Sequence, residues 1–183
     1  MNYKNNLDDL ILGEIINRKK NDITIVGIDG PTAVGKTILA NRIASKLKKN
    51  VFIFRLDWTL KERKYREEKL KTYINKNNSF LYEAEEHMNL TMAANFLKKV
   101  YNHDFKKKFT YKLTKLYNRE KGSKNNLSIK VNIKKDSIII IEGHYTGVSN
   151  ISKYLDLNIL LIGNKQELLK RKINRVKNYR LPD

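Results

Sequence analysis

A chain of 183 residues, 40% of them apolar, is long enough for one domain around a sizeable core. It has no cysteine, which excludes disulfides, thiolate metal sites and thiol catalysis. No apolar run approaches the ~18 residues of a membrane span, and the N-terminus has no signal-peptide pattern, so a cytoplasmic protein without a membrane partner is expected. Lys and Arg total 38 against 19 acidic residues, a formal charge of +19. The excess is mostly Lys scattered among Asn and Ile. An AT-rich coding bias accounts for that texture first, phosphorylated small-molecule ligands second and nucleic acid third, and anionic ligands are attracted in every case.

In chain order, Leu7, Leu10, Ile11, Ile15 and Ile16 recur at helical spacing and predict a helix over about 5–18. Ile23 to Ile28 is a β-branched run that reads as a buried strand and opens the core sheet. It leads into Gly30-Pro31-Thr32-Ala33-Val34-Gly35-Lys36-Thr37, a complete G-x-x-x-x-G-K-[ST] pattern, and Ile38 to Leu47 has helical spacing. Strand, loop, Lys-Thr and helix form the context that makes this pattern a phosphate-binding loop. Its backbone amides and the positive end of the helix hold anionic oxygens. Lys36 is placed to reach the β- and γ-phosphates and the Thr37 hydroxyl to ligate Mg²⁺. Residues 30–37 therefore predict a nucleoside triphosphate site, with ATP and Mg²⁺ as cofactors.

Asn50 to Leu56 is the second predicted strand, ending at Asp57. Trp58 to about Ile74 is charged and permits a helix, closed by a turn over 75–78. Another helix is predicted from Glu83 to Tyr101, with Ala84, Met88, Met92, Ala93, Phe96 and Leu97 on its apolar face. Residues 102–124 have weak periodicity and receive no assignment. Tyr101, Phe105, Phe109, Tyr111 and Tyr117 interleave with Lys there, which suits base stacking or, more commonly, packing of a subdomain. Leu127 to Ile133 alternates, as a half-exposed strand does, whereas Ser137 to Ile141 is continuous and apolar, as a strand covered on both faces should be. Leu157 to Ile162 is another strand and Lys165 to Tyr179 a basic helix. This alternation predicts an α/β fold of the P-loop NTPase type, three layers α/β/α around a mostly parallel sheet. Ligands bind beyond the carboxyl ends of such strands, where the loop, Asp57 and Glu142 all fall.

Asp57 is the expected general base for an acceptor hydroxyl beside the γ-phosphate. Glu142, ending the most apolar strand, is expected at Mg²⁺ or its water opposite Thr37, and Gly143 permits close backbone approach. Arg171 and Arg175 stand one turn apart on the last helix, either as a solvated face or as a lid over the triphosphate. The histidines lack metal-ligand spacing. His144 is expected to touch substrate, and His87 and His103 to lie at the surface or behind the site.

Together these residues resemble the uridine kinase-like group of phosphate-loop kinases, which includes phosphoribulokinase, pantothenate kinase and nicotinamide riboside kinase. The likeness covers Ile25 to Thr37, Asp57 at the group's catalytic Asp, and Met88 to Tyr101 at its Leu-rich helix. Phe109-Thr110-Tyr111 with Arg119 is similar to the group's Pro-x-Tyr-Asp stretch and downstream Arg. Ile141-Glu142-Gly143 resembles its Val-Glu-Gly, and Arg171-Lys172-x-x-Arg175 its Arg-Arg-x-x-Arg lid. The resemblance implies phosphoryl transfer from ATP to a hydroxyl of a small metabolite, a nucleoside such as uridine or cytidine or a related ribosyl compound, with Tyr111, Arg119 and His144 at the substrate.

Departures change the pocket wall: Asp57-Trp58-Thr59-Leu60 replaces Asp-Asp/Ser-Phe-Tyr, and Lys112, Gly163 and Val176 stand where the group has acidic residues. The chain stops at Asp183 where the group continues into a fifth strand, so either a minimal protein or a piece of a longer one is expected. The loop is also worded like that of tRNA dimethylallyltransferases, but their Asp-Ser-x-Gln-x-Tyr stretch has no counterpart. An enzyme acting on nucleic acid and a nucleotide-binding regulatory module are the alternatives to a small-molecule kinase. No oligomeric state follows from the sequence.

Overall fold

The computed structural model describes residues 3–18, 22–47, 50–75, 85–124 and 128–178. Helix α1 (Tyr3–Asn17) precedes β1 (Ile23–Asp29), and the glycine loop joins β1 to α2 (Lys36–Leu47). Strand β2 (Val51–Arg55) ends in a tight 3₁₀ turn, Leu56–Thr59, followed by α3 (Arg63–Asn75) and α4 (Leu90–Tyr101). Four short strands come next: β3 (Phe109–Leu113), β4 (Tyr117–Asn118), β5 (Ser123–Lys124) and β6 (Ile129–Ile133). The chain then forms β7 (Ser137–Glu142), α5 (Ser149–Ser152), β8 (Leu157–Leu160) and α6 (Lys165–Asn178).

Four strands pair in parallel in the order β2-β7-β1-β8, giving the predicted α/β architecture. The two most apolar strands, β7 and β1, take central places because both their faces are covered. Alternate residues point to opposite faces. Ile139 and Ile141 meet Phe54, Phe96 and Leu97 on the α4 side, while Ile138 and Ile140 meet Ile15, Leu39 and Ile43 on the α1–α2 side. Asp8 of α1 is buried against Arg42 and Lys46 of α2. Burial alone would raise its carboxyl, but those two cations outweigh it and hold it below the usual range. Among the described residues no helix is long and apolar enough to cross a membrane.

Several boundaries differ from the sequence reading. The helix expected from Glu83 begins at Leu90, because the preceding backbone is drawn into tertiary pairing. Lys61 N–H donates to His87 O (2.8 Å), Asn89 N–H donates to Thr59 O (2.8 Å), and Met88 bridges Leu60. Residues 83–84, the turn at 76–78, Leu127 and Tyr179 lie outside the described residues. The second strand stops at Arg55 rather than Leu56, since Leu56 turns inward, fully buried, to start the 3₁₀ turn. The unassigned stretch 102–124 holds β3, β4 and β5. β3 pairs antiparallel with β6, so the alternating strand belongs to a separate two-stranded ribbon.

Register carries the strand ends to one place. Ile28 of β1 and Arg55 of β2 both lie opposite Glu142 of β7. Gly143 follows at φ +149°, and a Cβ there would stand 2.6 Å from Leu56 Cβ. Gly143→Ala should cost roughly 2–4 kcal/mol, combining backbone strain and overpacking. That corresponds to a fall of roughly 5–15 °C in melting temperature. An unchanged melting curve would show that the Leu56 contact is not tight.

Candidate active site

The loop after β1 is built on unusual backbone. Gly30 and Gly35 have φ of +142° and +106°, and Ala33 sits at +65°. A Cβ on Gly35 would meet nothing within 4 Å, so the loop leaves open space on that side. Lys36 Nζ donates to the loop's own carbonyls, Gly30 O (2.6 Å) and Pro31 O (2.9 Å). Its ammonium thus stays with the loop rather than in solvent. Thr32, Ala33, Gly35, Lys36 and Thr37 line a cavity of about 540 Å³, while Gly30, Pro31 and Val34 shape the loop behind it.

Across this cavity the Thr37 hydroxyl donates to Glu142, 3.1 Å from Oε1 and 3.2 Å from Oε2. Glu142 is buried. Burial and then the negative charge of Asp57 push its carboxyl above the usual range, and Thr37, Arg55 and Lys36 pull partly against that shift. A hydroxyl and a carboxylate, both hard oxygen donors, suit a Mg²⁺ that takes its remaining ligands from water and phosphate. A buried carboxylate short of positive charge is the observation that makes them fit.

Asp57 is the second residue of the 3₁₀ turn after β2, half exposed, with Arg119 Nη2 at 3.7 Å from its Oδ2. Both residues line the phosphate-loop cavity and also a second cavity of about 270 Å³. Thr32 and His144 are shared by the two cavities as well, and Thr32 Oγ1 lies 3.2 Å from His144 Nε2. Asp57 therefore stands where the cavities meet.

Arg171 of α6 lines the phosphate-loop cavity and pairs with Glu167 at 3.4 Å. Arg175 lies on the same helix, and its side chain is outside the described residues. Tyr111 is not brought to either cavity. Its ring packs on Phe96 (5.4 Å between centroids) with Lys99 above it, as the subdomain-packing reading of these aromatics implies. His103 packs on Phe105 and Phe109. His87 is buried rather than at the surface, the other of the two places expected for it: the 3₁₀ turn Glu85–His87 folds it inward beneath Tyr65, and it lines the second cavity.

Sequence reasoning passed over Asp29 and Arg55. Asp29 Oδ1 accepts from Gly30 N–H (2.7 Å), and Oδ2 accepts from the Thr146 hydroxyl (3.2 Å) and Gly147 N–H (3.1 Å). It braces the start of the phosphate loop against the segment after β7. Its signal was an Asp closing a strand, the same signal that exposed Asp57 and Glu142. Arg55 closes β2 beside Glu142 and lines the phosphate-loop cavity.

A parallel sheet whose first strand runs into such a loop, with Lys, Thr and a buried Glu converging, defines a phosphate-loop enzyme that uses a nucleotide. Residues 25–181 match the Phosphoribulokinase / Uridine kinase family, and the chain belongs to that family. It is a small-molecule kinase. The fold is similar to that of a possible uridine kinase from Bacillus stearothermophilus, at 19% identity and TM-score 0.70, covering 97% of this chain and 91% of that one. It is also similar to a candidate fructose transport system kinase from Silicibacter sp. TM1040, at 16% identity and TM-score 0.67, covering 94% and 82% of the two chains. No curated protein sequence matches the chain.

The raised Glu142 carboxyl sets a pH dependence. A carboxyl whose folded pKa lies above its unfolded value, about 4.3, costs no stability below that value. The cost appears as pH rises through the folded pKa. Without metal, Glu142→Gln should raise the melting temperature at pH 7, by about 2–4 °C per kcal/mol of relieved strain. The advantage should shrink toward pH 4. A difference independent of pH, or a less stable Gln variant at pH 7, would refute the burden assigned to this carboxylate.

Proposed function

We propose that the chain transfers the γ-phosphoryl group of ATP, with Mg²⁺, to a hydroxyl of a small ribosyl metabolite of the nucleoside class. The observation that carries this reading is the position of Asp57 at the meeting of two cavities, one walled by the phosphate loop and one by polar and aromatic side chains. An acceptor hydroxyl in the second cavity and a phosphoryl group in the first would meet beside this carboxylate. Family membership supports the kinase chemistry. Tyr117, Tyr145 and His144 give the second cavity rings of the kind that stack on a base.

In this reading the nucleotide is held by the loop residues 30–37. Thr37 and Glu142 would hold Mg²⁺, which would supply divalent charge to offset negative charge on the transferring group. Lys36 contributes a further positive charge from the loop. Asp57 orients the acceptor hydroxyl and takes its proton at a carboxylate oxygen, with Arg119 3.7 Å from that carboxylate. Arg171 and Arg175 of α6 act as the lid. The residues form one kinase domain spanning 1–183, consistent with the family match over 25–181 and with the Asp8 pairing of α1 to α2.

Lys36→Ala should abolish transfer and weaken ATP binding while circular dichroism and thermal melting stay near the parent. Transfer at the parental rate would remove the phosphate loop from the mechanism.

Asp57→Asn keeps the shape and removes the proton acceptor, a role worth ~10²–10⁴-fold in rate. Phosphoryl transfer should fall by that factor with ATP affinity preserved. If ATP affinity collapses while turnover per bound nucleotide survives, Asp57 is a binding residue and the base lies elsewhere.

A further inference from the structure

We propose that the outer face of the β3–β6 ribbon binds duplex DNA through its phosphates, without reading sequence. This surface stands apart from the kinase site, since none of its residues lines either cavity.

The register of the ribbon creates the surface. Phe109, Leu113, Val131 and Ile133 turn into the core, with Tyr111 packed against it, so the alternate positions face outward. Those positions are Thr110 opposite Asn132 and Lys112 opposite Lys130, all exposed. Lys108 and Lys134 lie one place beyond the Phe109–Ile133 pair, and both are exposed as well. Two pairs of lysines thus flank a Thr–Asn pair in which Thr110 Oγ1 donates to Asn132 Oδ1 (3.0 Å).

Like charges directly opposite on an antiparallel pair are destabilising, and nothing local offsets these. Among the described residues none of the four lysines has a carboxylate within ion-pair distance. Residues 104–113 hold four lysines and residues 129–136 three, against Asp104 and Asp136. Asp104 accepts from Lys106 N–H (3.0 Å), and the one paired lysine of these stretches, Lys135, takes Asp22 (3.2 Å). Lysines on an open strand edge also discourage edge-to-edge aggregation. One charge at each level does that, and a Glu opposite each Lys would add attraction. Lysine facing lysine suits an external polyanion instead.

Spacing and chemistry select the polyanion. Lysine pairs four residues apart stand about 13–14 Å from each other along an antiparallel strand. That is close to the ~12 Å width of the major groove of B-form DNA, which admits a two-stranded ribbon. Each lysine pair then meets the phosphates of one wall, with Thr110 and Asn132 over the groove between. Other polyanions fit less well. Among the described residues this face presents no ring to stack on the bases of a single strand, and no apolar side chain to enter a lipid interface. The major groove of A-form RNA is deep and narrow.

Fluorescence anisotropy of the full chain with a labelled duplex of about 20 base pairs, two helical turns, tests this. Near physiological salt the Kd should be about 10⁻⁴–10⁻⁶ M, and log K against log salt should have a slope of about −3.6, roughly −0.9 for each lysine. No binding by the parent chain ends the proposal. Lys112→Gln with Lys130→Gln should weaken binding ~10-fold or more and reduce the slope by about 1.8. Lys64→Gln with Lys71→Gln removes two exposed lysines of α3 and should change neither value much. An equal loss in that control assigns binding to net charge and overturns the proposal. So does equal affinity for single-stranded DNA, double-stranded RNA or phosphatidylserine–phosphatidylcholine vesicles. A non-hydrolysable ATP analogue should leave duplex affinity unchanged, and displacement would move the DNA to the phosphate loop and refute the ribbon. Lys112→Glu should abolish duplex binding while raising the melting temperature by about 1–4 °C, as an opposite charge replaces a like one. Retained binding in that variant, or a lower melting temperature, would show that these lysines serve the fold and not DNA.

Discussion

The parallel pairing of β7 between β1 and β2 is the constraint on which the site depends. β7 is buried along its whole length, so its register is fixed by packing on both faces of the sheet. A slip of one residue would put Ile in place of Ile along most of the strand, but would carry Glu142 into the core place of Ile141 or Ser137 into that of Ile138. That same register delivers Glu142 to the level of Ile28 and Arg55, beside the first turn of α2. A carboxylate at the end of an apolar strand is thereby held where water cannot fully solvate it. The core supplies the energy that keeps it there, and a cation relieves the cost.

Two carboxylates near these strand ends sit in different environments. Glu142 is buried and bonded to Thr37, whereas Asp57 is half exposed on a turn beside Arg119. Asp57's charge is one of the causes that raise the Glu142 carboxyl, so the two are electrostatically linked. Positive charge at Glu142 would relieve this repulsion as well as the burial cost. Charge placed at either carboxylate is therefore felt at the other through space, without a shared hydrogen bond.

What was legible in the sequence was what depends on local pattern. Continuous β-branched runs identified β1 and β7, and the Gly-Lys-Thr loop between a strand and a helix identified the nucleotide site. Asp57 and Glu142 were readable because strand ends in a parallel sheet gather at one edge. The start of α4 was not readable, since the backbone of residues 87–89 is held by residues 59–61 through pairing that no local periodicity encodes. The burial of His87 follows from the same non-local contact. Tyr111 adjoins lysines as a base-stacking residue might, yet Phe96, nearer the start of the chain and on another element, decides where its ring packs.

The basic excess hid two cations that folding treats differently from the rest. In a chain with 38 Lys and Arg residues, Arg63 and Arg66 read as two more charges on a polar helix. Only the folded chain separates them from that background, because most surface lysines keep their ammonium groups in water while these guanidinium groups are tied, half-buried and turned to a cavity. Net charge draws anions toward the whole molecule and selects none of them.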